Sequence, residues 1–554
     1  MGGEAATGAH GAGRSGLGLV VAASSAGTAF EWYDFFVFVP LAGIIAHVFF
    51  AGLNEAAQYV FALGAFAAGF AFRPIGALVF GRIGDRAGRK GTFLITIGLM
   101  GAATIAIGFL PTYAQAGVIA PVMFIALRLV QGLALGGEWG GAAIYIAEHT
   151  SDDRRGGLTS WIGAAAAFGL GGALLVTLAT RTAVGEAAFN AWGWRVPFLA
   201  SAALLAVSVW IRLQLSESPA FVALKARGER SARPYVESFA RWPNLRLVLV
   251  ALFGVMVAQG AVWYTTFFYA QFFFERVIKV DAPTVNTLMI AAVVASAPLY
   301  VLFGRLSDRV GRKPVMLGGM ALAMLAMLPA FYLMTAALNP GLAQASRRVP
   351  VTVYADPATC SLQFDPVGKA QFRSACDIAK GVLTGAGVGY SNRAAPPGAL
   401  ATVRVGGAQV ASADGRGLDA AGLKRVRAQV EARLKAALRG AGYPPHAPAP
   451  GAGDVATAFA LLMLLVIGAT ALYGPQAAAL VELFPTRIRY TALTLPYHIG
   501  TGWVGGFLPA TAYAMVAASG NLYFGLWYPI AATTLSIVVT ALLFPETRGR
   551  SLDF

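Results

Sequence analysis

The chain has 554 residues, 57% of them hydrophobic and only 12% charged, with a mean hydropathy of +0.64 and a formal net charge of +16. So apolar and glycine-rich a composition, with 66 glycines, excludes an ordinary soluble enzyme and describes a membrane protein of close-packed apolar helices. The positive charge does not call for nucleic acid, because the arginines fall in short loops beside apolar runs, where the positive-inside rule and anionic lipid account for them.

At about 20 apolar residues per crossing, twelve spans are predicted, near 18–46, 57–82, 91–110, 117–146, 158–180, 194–213, 246–273, 284–305, 314–337, 455–480, 489–517 and 521–544. Residues 1–17 form a glycine- and alanine-rich tail, and the run after it is too long for a signal peptide, so it reads as an uncleaved first helix. The expected organisation is a six-helix bundle over 18–213, a linker over 214–245, and a second bundle in two pieces, 246–337 and 455–544. An insertion at 338–454 separates those pieces, and a short tail follows at 545–554. The basic loops holding Arg86, Arg89 and Lys90, Arg154 and Arg155, and Arg309, Arg312 and Lys313 all fall on one side, whereas the loops at 51–56, 111–116 and 518–520 carry no lysine or arginine. Both termini are therefore expected in the cytoplasm and the insertion on the outer face.

The strongest internal signal is a repeat. Gly81-Arg82-Ile83-Gly84-Asp85-Arg86-Ala87-Gly88-Arg89-Lys90 returns as Gly304-Arg305-Leu306-Ser307-Asp308-Arg309-Val310-Gly311-Arg312-Lys313, each copy a glycine-bent turn between two apolar runs. Such a repeat implies two halves of one design.

The pattern resembles the major facilitator superfamily of secondary transporters, whose hallmark is G-x-x-x-D-R-x-G-R-[KR] between the second and third helices of each half. Further matches resemble its metabolite:proton symporters: Glu31-Trp32-Tyr33-Asp34-Phe35, Arg73-Pro74-Ile75-Gly76-Ala77, Arg128-Leu129-Val130-Gln131-Gly132, Gly136-Gly137-Glu138-Trp139, Tyr473-Gly474-Pro475-Gln476 and Glu482-Leu483-Phe484-Pro485-Thr486-Arg487. The resemblance covers everything except about 115 residues around the insertion. It implies an all-α protein of twelve helices in two pseudo-symmetric bundles that alternate access to a midplane site.

Ionisable groups within apolar spans cost at least about 2.5–3.5 kcal/mol by insertion scales, so each needs a partner or a task. Asp34 and Arg128 are the expected pair, a proton switch by likeness to sugar:proton symporters in which an equivalent aspartate faces the helix-4 arginine; a static ion pair is the alternative. Glu31, three residues before Asp34, shares its helix face and is the second candidate for the proton. Arg73 lies near the midplane of span 2 and suggests an anionic substrate group, or else a pairing with Glu31 or Glu138. Glu138, in a glycine-rich stretch, is expected to meet a donor on a neighbouring helix. Gln259, Trp263, Tyr264, Tyr473, Gln476, Tyr497 and His498 are the expected remaining substrate contacts.

Gating falls to Asp85, Arg86, Arg89, Asp308, Arg309 and Arg312. Asp85 is expected opposite the start of span 11, with Arg86, Arg89 and Lys90 pairing with Glu148 or Asp152. Ser307 in place of Gly84 leaves the second copy's latch open to question.

Within the insertion, 348–354 and 401–410 read as strands and 419–440 as a helix, making a small α+β domain. The chain's two cysteines, Cys360 and Cys376, both lie there and suit a disulfide in an oxidising compartment.

The function expected is proton-coupled uptake of a small mono- or dicarboxylate, the proton gradient replacing any cofactor. A proton symporter of betaine or proline, with Trp263 and Tyr264 cradling a quaternary ammonium, is one alternative, and a transporter-like receptor sensing through the insertion is another. An enzyme is not expected, because the membrane holds one histidine and no clustered cysteines that suggest a metal, and the lack of a phosphate-binding Gly-x-x-x-x-Gly-Lys motif argues against direct ATP drive. The setting expected is a bacterial inner membrane, with the protein monomeric in the bilayer, its partners a small molecule and protons, and the insertion periplasmic.

Overall fold

The computed structural model describes residues 14–51, 55–214, 216–364 and 371–552. Most of the predicted N-terminal tail, residues 1–13, and residues 52–54 of the first outer loop lie outside the described residues.

Nine helices among the described residues are long and apolar enough to cross a membrane, from Arg89–Phe109 to Phe524–Leu543. Three more complete the twelve: Arg14–Phe36, Glu55–Ala87 and the composite eleventh span over 489–519. Six lie in each half, and two six-helix bundles with a small inserted sheet are the fold the repeat implies. Span 1 ends earlier than its apolar run: after Phe36 the chain makes a 3-10 turn, Val39–Leu41, and a separate helix, Ala42–Phe49. Span 7 is longer, Trp242–Val277, and includes wide π-helical turns at Ala251–Met256, Thr265–Tyr269 and Phe273–Val277. Span 11 has such a turn at Ile499–Gly505. Such turns disturb the helical ladder and recur at functional sites.

Glycine permits the closest helix contacts. A Cβ on Gly76 would lie 2.0 Å from the Leu133 carbonyl oxygen, and one on Gly136 would lie 2.4 Å from that of Arg73, so spans 2 and 4 touch backbone to backbone. The second half does likewise at Gly319, whose Cβ would stand 2.7 Å from the Gly468 carbonyl oxygen. Without water to expel, small residues that allow such contact supply much of the packing.

The linker folds as a short helix, Pro219–Ala226, capped by the Ser218 hydroxyl, which accepts from the Phe221 amide at 3.1 Å. A π-helical turn, Val236–Ala240, follows.

The insertion is an α+β unit. Its sheet contains β1 (Val351–Ala355), β2 (Ser391–Ala394), β3 (Thr402–Val405) and β4 (Ala408–Ala411), in the order β2-β1-β3-β4. β2 runs parallel to β1, the other pairs are antiparallel, and Gly406-Gly407 closes the β3–β4 hairpin. The single strand read over 401–410 is thus two, because the glycine pair turns the chain. The predicted helix is present as Ala420–Gly440. A second helix, Ala375–Gly385, was not read from the sequence, and Cys376 near its start is disulfide-bonded to Cys360. Because span 9 leads from the Gly311 turn to the insertion, the inserted domain sits on the opposite membrane face from the two repeated turns.

Candidate functional site

The two repeated turns build matching charge clusters. Asp85 lies at the start of span 11, accepting from the Tyr490 amide at 3.1 Å and the Thr491 amide at 2.8 Å. Asp308 accepts from the Gly156 and Gly157 amides at 2.8 and 2.7 Å, at the start of the helical segment from Arg155. Each carboxylate thus satisfies orphan amides at the positive end of a helix belonging to the opposite half.

Around each aspartate the pattern repeats. Arg89 bonds Asp85 at 2.8 Å, Arg489 bonds Glu148 at 2.8 Å, and Arg89 stands 3.9 Å from Glu148. In the second cluster Arg312 bonds Asp308 at 2.5 Å and Glu482 at 3.1 Å, while Arg155 bonds Glu482 at 2.9 Å. Ser307 does not weaken this cluster, because its hydroxyl accepts from Arg312 at 2.9 Å. Two further carboxylates cap the helices leaving the turns. Glu217 accepts from the Arg89 amide at 3.0 Å, and Glu546 from the Arg312 amide at 2.9 Å. The turn glycines Gly88 and Gly311 have φ of +126° and +110°, and a Cβ on either would strike the capping carboxylate.

Arg86 and Arg309 depart from the expected gating set. Both are exposed, and neither side chain makes an ion pair among the described residues; Asp152 pairs with Arg155, and the Lys90 ammonium donates to the Leu213 carbonyl. The cause lies in the turn: Asp85 is on the inward face of span 2 and Arg86, the next residue, points away, while the Gly88 turn starts a new helix at Arg89 and brings that side chain back onto Asp85. Sequence reading missed Arg155, Glu217, Glu482, Arg489 and Glu546 as members. The signal was present, since Glu148 precedes Arg155 by the spacing that separates Glu482 from Arg489.

Between the halves, midway along the helices, lies a cavity lined by Trp32 and Arg73 from the first half and by Gln259, Trp263, Tyr264, Tyr473 and Tyr497 from the second. Gly163, Ala166 and Thr501 complete it. The cavity is almost closed, with about 10 Å³ open to the centre of a water molecule, enough for about one water. Aromatic contacts hold its walls: Trp139 stacks on Tyr497 at 3.8 Å and donates to the Tyr473 hydroxyl at 3.1 Å, and Trp263 donates to the Tyr300 hydroxyl at 2.9 Å.

Arg73 is the one cation lining this cavity among the described residues, and it is buried. Its guanidinium lies 4.0 Å from the Phe70 ring centre and 4.5 Å from that of Phe35, while Nε and Nη2 have no hydrogen-bond partner. Gln259 Oε1 is likewise unpartnered. Gln476 and His498 do not line the cavity: Gln476 donates to the Met256 sulfur at 3.6 Å, and His498 packs edge-on to Tyr497. Trp32, Gly163, Ala166 and Thr501 were missed, although Trp32 stands inside a quoted motif.

Asp34 and Arg128 are not directly paired. Ser201 donates to Asp34 at 2.5 Å, while Arg128 donates to Gln131 at 2.7 Å and lies 4.4 Å from the Phe38 ring centre. Gln131 in turn donates to Thr104, which neighbours Asp34, so two neutral side chains separate the charges that the sequence suggested would touch. Glu31 is buried with Oε1 unpartnered. Glu138 meets donors on neighbouring helices, Arg212 at 2.6 Å and Thr96 at 2.9 Å; Gly27 leaves room for the Arg212 guanidinium.

Two helix bundles facing each other across a midplane cavity of aromatic rings and one arginine, with matched charge clusters between them at one end, have a secondary-transporter architecture. The chain belongs to the Major Facilitator Superfamily, whose family model matches residues 24–346, and the "Sugar (and other) transporter" model matches 439–553. It is 34% identical over 326 residues to the Proline/betaine transporter of Escherichia coli K12, covering 57% of this chain and 65% of that protein's length. It is also 34% identical over 304 residues to the Alpha-ketoglutarate permease of the same strain, covering 55% and 68%. These relatives are transporters, not enzymes. The solved structure of the proton:xylose symporter XylE bound to 6-bromo-6-deoxy-D-glucose matches with a TM-score of 0.63 at 18% identity, over 97% of this chain and 98% of that one. That likeness concerns the fold.

Proposed function

We propose that this protein couples proton entry to uptake of a small organic acid by rocking its two bundles about the midplane cavity. The observation that carries the reading is Arg73: a buried guanidinium with two unpartnered nitrogens facing a cavity that lacks a lining carboxylate among the described residues. Such a group lacks hydrogen bonds that a substrate carboxylate can supply in bidentate form.

Protonation is assigned to Asp34, with Glu31 second. Neutralising Asp34 changes what Ser201 and the Thr104–Gln131–Arg128 chain bond to, which is how a proton alters the packing of spans 1, 3, 4 and 6. The two charge clusters act as latches that hold one face shut while the cavity loads from the other. In this reading the latch face is cytoplasmic, the inserted domain is periplasmic, and the monomer sits in a bacterial inner membrane. At about 2.3 kcal/mol per charge per 100 mV, one proton sustains a concentration ratio on the order of fifty for a cargo that moves no net charge of its own.

A second reading has its own support. Trp32, Trp263, Tyr264, Tyr473 and Tyr497 make an aromatic cavity suited to a quaternary ammonium, and a related protein is called a Proline/betaine transporter. The deciding experiment records solid-supported-membrane currents from proteoliposomes for a panel of carboxylates and betaines, with Asp34→Asn and Arg73→Gln beside the native chain. Current with a carboxylate, lost in Arg73→Gln and uncoupled from protons in Asp34→Asn, supports the organic-acid reading. Current with betaines alone establishes the second. Silence throughout, with ligand binding confined to the insertion, establishes the receptor alternative.

A further inference from the structure

The inserted domain does not hang from its linkers. Its Tyr390 amide donates to the Gly520 carbonyl at 2.7 Å, its Tyr390 hydroxyl to the Ala517 carbonyl at 2.5 Å, and the Ala447 amide to the Lys279 carbonyl at 3.0 Å. It is therefore seated on the outer ends of spans 7 and 11. Between domain and helices lies a cavity of about 870 Å³, within the size range of small-molecule sites.

The charges around it do not balance. Lys279, Arg427, Lys435 and Arg439 line it against two carboxylates, Asp377 and Glu431. Both carboxylates are already engaged, Glu431 with Lys435 at 2.5 Å and Asp377 with the Ser361 amide at 2.7 Å. The remaining cations hydrogen-bond only neutral carbonyls: Lys279 to Gly385 at 2.6 Å, Arg427 to Phe372 at 2.6 Å, and Arg439 to Lys435 at 3.3 Å. None of the three has an ion-pair partner among the described residues. Lys279 is held in the left-handed region at φ +57°, a conformation that costs a lysine energy, and its bond to the Gly385 carbonyl ties its ammonium to the domain. Burial, with Arg276 and Lys435 nearby, holds its ammonium below the usual lysine range. The whole insertion shares this bias, with fourteen lysines and arginines against seven aspartates and glutamates over 338–454. The positive-inside rule does not explain basic charge on this face.

Resting on the assignment of this face as external, we propose that the cavity between the inserted domain and spans 7 and 11 is a second binding site, for a small metabolite carrying two or more negative charges. Three unpaired cations answer the charges, while Phe272, Val382, Leu438 and Tyr513 offer apolar surface to a carbon skeleton. The same two spans line both cavities: Phe272 lies eight residues beyond Tyr264, about 12 Å at 1.5 Å per residue, and Tyr513 lies twelve beyond Thr501, about 18 Å. Occupancy there bears on the same two helices that close the central cavity.

The test is calorimetry of the full chain in nanodiscs, with 2-oxoglutarate as the probe and acetate as the singly charged control. In an Arg73→Gln background, 2-oxoglutarate binding should persist at one site, stronger than acetate and weakened by salt. Arg427→Gln in that background should weaken it at least tenfold. Arg439→Gln, an exposed position that leaves the fold intact, should weaken it about threefold. Loss of all binding in Arg73→Gln alone, or binding unchanged by both cavity variants, overturns the proposal. Native-level transport in Arg73→Gln would instead sink the central carboxylate reading and leave this site standing.

Discussion

Arg155 of the first half bonds Glu482 of the second at 2.9 Å, both side chains buried, although Arg155 lies only seven residues after its own half's Glu148. Arg489 repays the exchange by bonding Glu148 at 2.8 Å. Each latch thus borrows one arginine from the opposite bundle, so neither bundle can swing away without its glutamate losing one of two arginines. Arg312 still answers Glu482 at 3.1 Å when Arg155 is gone, so the loss is one charge-assisted contact, about 1.5–3 kcal/mol. Arg155→Ala should therefore shift the closed-to-open equilibrium of this face by about tenfold or more. Spin labels at exposed positions 86 and 309 report the separation by electron–electron resonance. An unchanged distance distribution would show that the cluster merely packs.

Gly84 makes an independent prediction at the same face. A Cβ there would stand 2.4 Å from the Tyr490 ring, whereas one on Gly91 would meet nothing within 4 Å. Gly84→Ala should hold the face ajar and slow transport without unfolding the chain, and Gly91→Ala should leave both untouched. Thermal melting beside transport assays separates the two effects; a melting loss without a change in the label distances would contradict this account.

The fold was legible because its signals are large: twelve apolar runs, and a ten-residue turn that occurs twice. The latches were half legible. Asp85 and Asp308 announced themselves through the repeat, but their partners Glu482 and Arg155 lie far away in sequence, and only the matched Glu-to-Arg spacing hinted at them. Arg86 and Arg309 were misplaced because a charged turn does not state which arginine faces inward. The cavity aromatics on spans 7 and 10 were readable as polar-tipped rings in apolar helices. Trp32 was not, since Glu31 and Asp34 on either side drew attention to themselves. The direct Asp34–Arg128 contact failed for a physical reason, namely that Gln131 and Thr104 supply neutral bonds that spread the interaction across three helices.

The disulfide should matter to the insertion and little to the membrane fold. Cys360–Cys376 closes a short loop and ties the start of helix Ala375–Gly385 to the chain leaving β1. Constraining a loop of this length contributes about 3 kcal/mol in the chain-entropy model. Cys360→Ser with Cys376→Ser should raise hydrogen exchange across 375–385 while exchange in span 4 stays constant. Equal protection of 375–385 with and without the bond would place the domain's stability elsewhere.

The seating of the inserted domain turns on two glycines that no other residue can replace without strain. Gly387 has φ of +70° and its Cβ would lie 1.9 Å from the Val277 carbonyl oxygen; Gly520 has φ of +80° and its Cβ would lie 2.0 Å from that of Tyr390. Both lie where the domain meets an outer helix end, and in each case the atom in the way is backbone, which cannot rotate aside. Gly520→Ala should therefore lift the domain from span 11, break the Tyr390 amide's bond to residue 520, and raise exchange at 277–280 and 516–522 together. Gly385→Ala, with nothing within 4 Å, is the matched control. Exchange that rises at 516–522 alone would mean that spans 7 and 11 are held separately, and the domain would then not be the clamp that joins them.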